Sequence, residues 1–265
     1  MKRRGRSIGS TSACLWWIDV HLDYVAGLAD YVARGRDLDI LLVVPVVSHE
    51  PPKNVDTRRA HKKAAKLEFR VKERVESDVD SMVQVRESLP SAVSELSDTF
   101  NVDCLVLEAV RDTRFSREDV TQKLIKAVDC DVFVVNPKGG FGEVNDVLVT
   151  DAEGPHSTLA AWTANLFARY GGAGLKLVHL VEPGSTKEEV EFDGFLAEID
   201  DPYCVETEIL ESDDFAEDIV DLSEGFDLTL HGLPSQDRLT RYIMSSKHQD
   251  IEEKVGGSVI SVRSR

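Results

Sequence analysis

Short apolar runs rich in β-branched residues alternate along the chain with longer segments of helical period. The run Ile40–Val47 is one strand candidate, and in the segment that follows it apolar residues recur every three or four positions from Ala60 to Val71. This alternation is typical of a parallel sheet that helices cover on both faces. The first half contains five strand candidates: Ala13–Ile18, Ile40–Val47, Met82–Arg86, Cys104–Leu107 and Val132–Val135.

The same alternation occurs a second time. The strand candidates of the second half are Asp146–Thr150, Leu175–Val181, Val205–Leu210, Leu228–Leu230 and Ser258–Val262. Corresponding features recur after about 125–130 residues, which is too long for a solenoid repeat and suits a duplicated domain. Residues 100–103 lead into the fourth strand of the first half as residues 224–227 do in the second. The pattern therefore predicts a tandem of two α/β domains.

The domain limits follow from where the pattern is interrupted. A proline and three glycines between Pro137 and Gly142 separate the two halves, and the first residues are rich in lysine and arginine. We predict a disordered basic arm at residues 1–12, a first domain at 13–137, a linker at 138–144 and a second domain at 145–265.

Charge narrows the classes of partner. The chain has 48 acidic and 31 basic side chains, a formal net charge of −17, and an acid excess in both halves. Such a surface repels phosphate backbones, so nucleic acid is not expected as a partner. The acid excess is interpreted as a solvated surface, and a halophilic source, in which carboxylates keep proteins soluble in high salt, is the sharper alternative.

Motifs for catalysis, metal binding or membrane insertion are missing from the sequence. The four cysteines form no CxxC pair, and the histidines show neither HxxxH nor HExxH spacing. The GxSxG match at Gly5–Gly9 lies in the basic arm rather than after a strand, so it is not a nucleophile elbow. No window approaches the ~20 apolar residues of a membrane-spanning helix, and no signal peptide is recognised. We therefore expect a cytoplasmic protein that is not an enzyme, with no catalytic residues, no metal site, and free cysteines buried in apolar runs.

One dense basic stretch lies inside the first half. It consists of Arg58, Arg59, His61, Lys62, Lys63 and Lys66. On a helix whose apolar side runs from Ala60 to Val71, these charges lie on the outer faces. We interpret the stretch as a solvated helix face, and docking to an acidic partner or an anionic membrane is the alternative.

Two strands of the second half resemble those of the universal stress protein family. In that family the first strand ends in an aspartate, as Val147–Asp151 does here, and the second often reads Leu-X-His-Val, to which Leu177–Val181 is similar. The resemblance implies the adenine nucleotide alpha hydrolase-like fold: two tandem five-stranded parallel sheets of order 3-2-1-4-5 with helices on both faces. In such sheets ligands bind at the carboxyl edge, where the strand order reverses.

The nucleotide loop of the family is incomplete in the second half. Nucleotide-binding members carry G-x-x-G after strand four, followed about nine residues later by G-[S/T], and these glycines let backbone amides approach the phosphates. Here Gly232 is followed by Pro234, which lacks an amide donor, and Ser245-Ser246 replaces the Gly-Ser pair. The resemblance implies these ligand-binding candidates: Asp151, Val181, Gly232, Ser235, Arg238, Ser245 and Ser246. Asp151 has a second interpretation, as the cap of a helix at Pro155–Tyr170.

The first half departs further from the family pattern. Its loop from Glu108 to Phe115 contains no glycine, and Glu118-Asp119 falls where Gly-Ser is expected. Carboxylates facing a triphosphate would repel it by about 1 kcal/mol or more each. Together with Asp19, which follows the first strand, these residues are expected to form a degenerate site without a nucleotide.

The resulting hypothesis is a non-catalytic regulatory or stress-response module that does not bind ATP in the usual way and has no cofactor. Its halves are expected to pair through their fifth strands, Asp131–Val135 and Ser258–Val262, as an intramolecular pseudo-dimer, and a homodimer stays open. A protein partner is expected. Two alternatives remain: a cytosolic domain pair that regulates an amino-acid transporter, and a switch that binds ATP or AMP through the second domain.

Overall fold

In a computed structural model, the chain is described at residues 12–16, 21–109, 118–151, 155–181, 183–184, 196, 199, 205–233 and 254–265. It divides into two compact units, Met1–Asp131 (unit 1) and Val132–Arg265 (unit 2). The fold class expected from the sequence, α/β with parallel strands and helices, is confirmed.

Unit 1 alternates strands and helices. Its elements are β1 (Ser12–Trp16), α1 (Leu22–Arg36), β2 (Asp39–Val47), α2 (Arg58–Lys72), β3 (Val79–Arg86), α3 (Leu89–Phe100), β4 (Val102–Glu108) and α4 (Glu118–Lys126). The four strands are parallel in the order β3-β2-β1-β4. The order reverses between β1 and β4, so the loops that leave these two strands meet at one edge of the sheet.

Burial in unit 1 follows the apolar pattern of the sequence. Residues 40–44 of β2 are buried without a break, as expected for a strand covered on both faces. The helix α2 buries only Ala64, Leu67 and Val71, so the rest of its surface is available to solvent. The chain leaves α3 through Asn101, whose φ of 47° is in the left-handed region that ends many helices.

Unit 2 contains the remaining elements. They are β5 (Asp131–Asn136), β6 (Asp146–Asp151), α5 (Pro155–Leu166), β7 (Gly174–Val181), β8 (Val205–Glu211), α6 (Phe215–Leu222), β9 (Leu228–Gly232) and β10 (Ser258–Arg263). The helix α5 continues as five residues of π-helix, Phe167–Gly171. A core cluster that includes Leu148, Val178, Ile219 and Val259 lies between the sheet and α6.

The strands β6 to β10 are parallel in the order β8-β7-β6-β9-β10. If these five strands are numbered 1 to 5 along the chain, the order is 3-2-1-4-5. β5 extends the sheet by pairing with β10 in antiparallel register, from Val259 opposite Asn136 to Arg263 opposite Val132. Except for its first residue, β5 therefore belongs to unit 2. The fifth strands of the two halves pair as expected, whereas the domain limits and the pseudo-dimer arrangement stay predictions.

Candidate functional site

The carboxyl edge of unit 1 lies where β1 and β4 end side by side. Trp16, the last residue of β1, is opposite Leu107 of β4, and Glu108 follows as the last residue of β4. The helix α1 begins nearby at Leu22, directly after His21. In a doubly wound sheet this edge is the expected ligand position.

A carboxylate is fixed at this edge. Glu108 Oε2 accepts the backbone amide of His21 at 3.1 Å, and Glu108 Oε1 lies 2.8 Å from His21 Nδ1. The Glu108 side chain is only 10% exposed, against 44% for His21. Because unbonded amides make the start of a helix electropositive, Glu108 holds the position there that favours an anion. Both of its oxygens already have protein partners.

The degenerate site expected in the first half is described in part. Asp19 lies outside the described residues, and Glu118 and Asp119 are described only as the first residues of α4, without their side chains. The sequence pattern indicates Glu108 only as a loop residue and does not predict its contact with His21. The available signal was a glutamate at the end of strand four, close to where the family has its first glycines.

Three of the second-half candidates end neighbouring strands of unit 2. Asp151 is the last residue of β6, Val181 of β7 and Gly232 of β9. Asp151 is opposite His179 in the strand register, although its side chain is outside the described part of the structure. Val181 is buried, and its carbonyl accepts the amide of Ser212 at 2.9 Å. The topology thus brings these three positions to one edge of the sheet.

Gly232 is in close contact with the start of α5. A Cβ atom at Gly232 would lie 2.9 Å from His156 Cβ, 3.0 Å from the His156 carbonyl carbon and 3.1 Å from the Ser157 amide nitrogen. These distances are shorter than van der Waals contacts, so any side chain would displace the helix. The space that a glycine would leave for a phosphate is filled here by the protein itself.

Two histidines of unit 2, the buried His231 and the half-buried His156, form hydrogen bonds near this edge. His231 Nε2 lies 2.8 Å from Ser261 Oγ, and His156 Nδ1 accepts the backbone amide of Ser264 at 3.0 Å. His231 is 4% exposed and Ser261 is 2% exposed, so the Ser–His pair is closed to a substrate and links β9 to β10. Among the described residues, no group of three or more His, Cys, Asp or Glu side chains could hold a metal ion.

The remaining second-half candidates cannot be placed. Ser235, Arg238, Ser245 and Ser246 lie outside the described residues. Their proposed role toward a phosphate therefore stays a prediction.

The described thiols are not placed for reaction. Neither Cys104 nor Cys130 forms a disulfide, and both are buried, as expected from the apolar runs that contain them. Burial raises the pKa of the Cys104 thiol far above its usual value, so the nucleophilic thiolate is not populated at neutral pH. In the part of the chain that the structure describes, no helix has both the length and the apolar character needed to cross a membrane.

Comparison with known proteins places this geometry in a known fold. No protein-family model and no curated protein matches the sequence. A universal stress protein from Archaeoglobus fulgidus DSM 4304 matches with a TM-score of 0.65 at 13% identity, over 96% of this chain and 97% of that one.

Two proteins from Pseudomonas aeruginosa are also similar. A putative universal stress protein from strain UCBPP-PA14 matches with a TM-score of 0.59 at 15% identity, over 95% of this chain and 92% of that one. A functionally unknown protein from strain PAO1 matches with a TM-score of 0.58 at 14% identity, over 94% and 91%. At such low identity the likeness establishes the fold alone. The chain has the universal stress protein fold, as the strand motifs indicated.

Proposed function

We propose that this chain, which has the universal stress protein fold, is a non-catalytic regulatory or stress-response module that acts through a protein partner and does not take ATP in the usual way. The observation that carries the proposal is the Glu108 carboxylate, bonded to both the amide and the ring of His21 at the carboxyl edge of unit 1.

Electrostatics in unit 1 support the proposal. A nucleotide phosphate near this edge would approach a carboxylate that is only 10% exposed. Like charges at such a partly buried position repel by about 1 kcal/mol or more. Displacing Glu108 would also remove the acceptor of the His21 amide at the start of α1.

Packing in unit 2 supports it as well. Phosphate loops use glycine because backbone amides can then approach the ligand closely. At Gly232 the missing side chain instead admits the first turn of α5, with His156 and Ser157 in contact. The glycine that resembles the family motif thus has a packing role in this chain.

The two other hypotheses depend on different residues. Regulation of an amino-acid transporter depends on the basic arm at residues 1–12, and the nucleotide switch depends on Ser245 and Ser246. These residues lie outside the described ranges, except for Ser12, whose backbone alone is described. No described contact favours either of them over the regulatory module.

Calorimetric titration of the full chain with ATP and with AMP, paired with thermal-shift measurements in molar KCl, tests the proposal. A ligand that binds the folded state at 100 times its Kd would stabilise it by about 2.7 kcal/mol, which is readily detected. We expect no saturable heat, no shift in Tm at millimolar nucleotide, and no release of phosphate from ATP.

Saturable binding would contradict the proposal, and two variants would then locate the site. Loss of binding in the variant Ser245→Glu/Ser246→Glu would assign it to unit 2 and revive the nucleotide switch. Stronger binding in Glu108→Gln, which removes the charge but keeps an oxygen acceptor, would assign it to unit 1.

A further inference from the structure

The outer face of α2 carries a line of cations that ends in an aromatic ring. Arg59, Lys62, Lys66 and Phe69 are all exposed, and their spacings of three, four and three residues place them on one side of the helix. We call these four residues the basic stripe. At 1.5 Å per residue it is about 15 Å long. The buried side of the helix is formed by Ala64, Leu67 and Val71, so the stripe faces away from the core.

The cations of the stripe differ from most of the other basic residues that the structure describes in unit 1. Several of the others lie beside acids: Arg34 beside Asp30, Arg36 beside Asp131, Arg58 beside Asp56, Lys72 beside Glu68, Arg74 beside Asp23 and Arg86 beside Glu95. Arg59, Lys62 and Lys66 form no ion pair with any residue that the structure describes. The whole chain has a net charge of −17, so three neighbouring cations on one helix face that form no described ion pair make this face locally positive.

Phe69 adds an apolar contact at the end of this line. It is 64% exposed, and Val47, at 55%, is the other large apolar side chain exposed to this degree among the described residues. Ala65 is also exposed, one turn before Phe69. Interfaces obtain most of their binding energy from a few aromatic and arginine side chains surrounded by polar contacts. The stripe combines these residue types on a rigid helix.

The surroundings of the stripe indicate the shape of its partner. Asp56 lies just before α2 and is 62% exposed, Asp23 lies beside Arg70 and Arg74 and is 59% exposed, and Glu73 is exposed one turn after Phe69. A flat anionic membrane pressed on the stripe would also meet these carboxylates and be repelled by them. A single helix or strand of about 10 Å width can follow the stripe between them.

We propose that the basic stripe binds an acidic segment of a partner protein, with carboxylates against Arg59, Lys62 and Lys66 and an apolar side chain against Phe69. Charge complementarity supplies the attraction and the orientation, and the ring supplies the desolvated contact. This surface does not depend on whether either unit binds a nucleotide.

A fluorescein-labelled peptide of about 15 residues tests the proposal by fluorescence anisotropy with the full chain at about 50 mM salt, where surface charges are incompletely screened. Its three glutamates and one leucine repeat the spacing of the stripe on one helical face, and a second peptide has the same composition in scrambled order. We expect saturable binding of the patterned peptide, and binding at least about fivefold weaker for the scrambled one.

Three variants separate a specific surface from general attraction. Lys66→Glu and Phe69→Ala should each weaken binding about fivefold. Lys53→Glu makes the same charge change at an exposed lysine off the stripe and should alter binding less than twofold. All three positions are exposed, so the fold should persist, which circular dichroism checks.

Several results would overturn the proposal. They are no binding of the patterned peptide, equal binding of the scrambled peptide, or equal losses in Lys53→Glu and Lys66→Glu. A membrane would be the occupant if the chain does not bind the peptide but sediments with vesicles of phosphatidylcholine and phosphatidylserine, and if Lys66→Glu abolishes that sedimentation. Self-association in sedimentation equilibrium that is lost in Lys66→Glu would make it a second copy of the chain.

Discussion

The two units differ at three equivalent places, where unit 1 has a side chain and unit 2 has a glycine. Before the fourth strand, Asn101 with φ 47° corresponds to Gly225 with φ 93°. At the end of that strand, Glu108 corresponds to Gly232, and before the fifth strand Cys130 corresponds to Gly257. Unit 1 bonds the Glu108 side chain and buries that of Cys130, whereas at Gly232 and Gly257 unit 2 brings neighbouring chain segments into direct contact.

This difference shows that equivalent positions of one fold can be stabilised by two kinds of interaction. A hydrogen-bonded carboxylate such as Glu108 depends on charge, and a backbone contact such as that of Gly232 depends on the absence of any side chain. It also shows that a glycine at a family motif position is weak evidence for a ligand, because packing alone can require it. The following substitutions test the two kinds of interaction separately.

The largest effect is expected for Gly257→Ala. The added Cβ would lie 2.4 Å from the Phe226 carbonyl oxygen and 2.5 Å from that of Asp227, both backbone atoms that cannot rotate away. Unit 2 should lose about 3 kcal/mol of unfolding free energy. Hydrogen exchange of the β9 and β10 amides across a urea series measures this loss for unit 2 itself.

Gly256→Ala is the matched control for this variant. An added Cβ at the neighbouring Gly256 meets no atom within 4 Å. Its cost should stay below about 1 kcal/mol. Equal stabilities of the two variants would show that the contact at Gly257 relaxes without cost.

A smaller loss is expected for Gly232→Ala. Its Cβ would approach His156 and Ser157 at 2.9 to 3.1 Å, so the start of α5 must shift by a few tenths of an ångström. We expect a loss of about 1–2 kcal/mol and faster exchange in the first turn of α5. Gly142→Ala, with no atom within 4 Å of its Cβ, serves as the control. An unchanged exchange rate in α5 would contradict the proposed packing role of Gly232.

The smallest effect is expected from acid, and we expect it around β3 and α3 of unit 1. Hydrogen bonds from Arg86 hold the pKa of Glu95 below its usual value. Burial raises the pKa of Glu68, but bonds from Lys72 and Ser81 outweigh it, so the net shift of this pKa is also downward. Because both folded-state pKa values lie below the ordinary value of 4.5, these bonds stabilise unit 1 fully above that pH and progressively less as the pH falls.

Hydrogen exchange of β3 and α3 between pH 6 and pH 3.5, corrected for intrinsic rates, measures this loss. The variant Glu95→Gln should show a weaker dependence on pH, because its amide does not titrate in this range. An identical dependence in the variant and the wild type would exclude the Arg86–Glu95 pair as its source.

The sequence determined the secondary structure and the fold class because those signals are local. Hydrophobic period and β-branched runs placed a strand at Ile40–Val47, observed as Asp39–Val47, and another at Leu175–Val181, observed as Gly174–Val181. The duplication followed from the same pattern repeated. Parallel strands with helical connections then restrict the topology to few choices, so the sequence predicts that a ligand would lie at the carboxyl edge.

Only the tertiary structure decided what fills that edge. Glu108 bonds His21 across 87 positions of the chain, and Asp30 of α1 accepts the amides of Glu76 and Ser77 before β3. Contacts between such distant residues depend on the docking of whole elements, which local periodicity does not encode. The incomplete nucleotide motif is a prediction from the sequence, whereas the bond of Glu108 to His21 in unit 1 and the contact of Gly232 with the start of α5 in unit 2 are seen only in the tertiary structure.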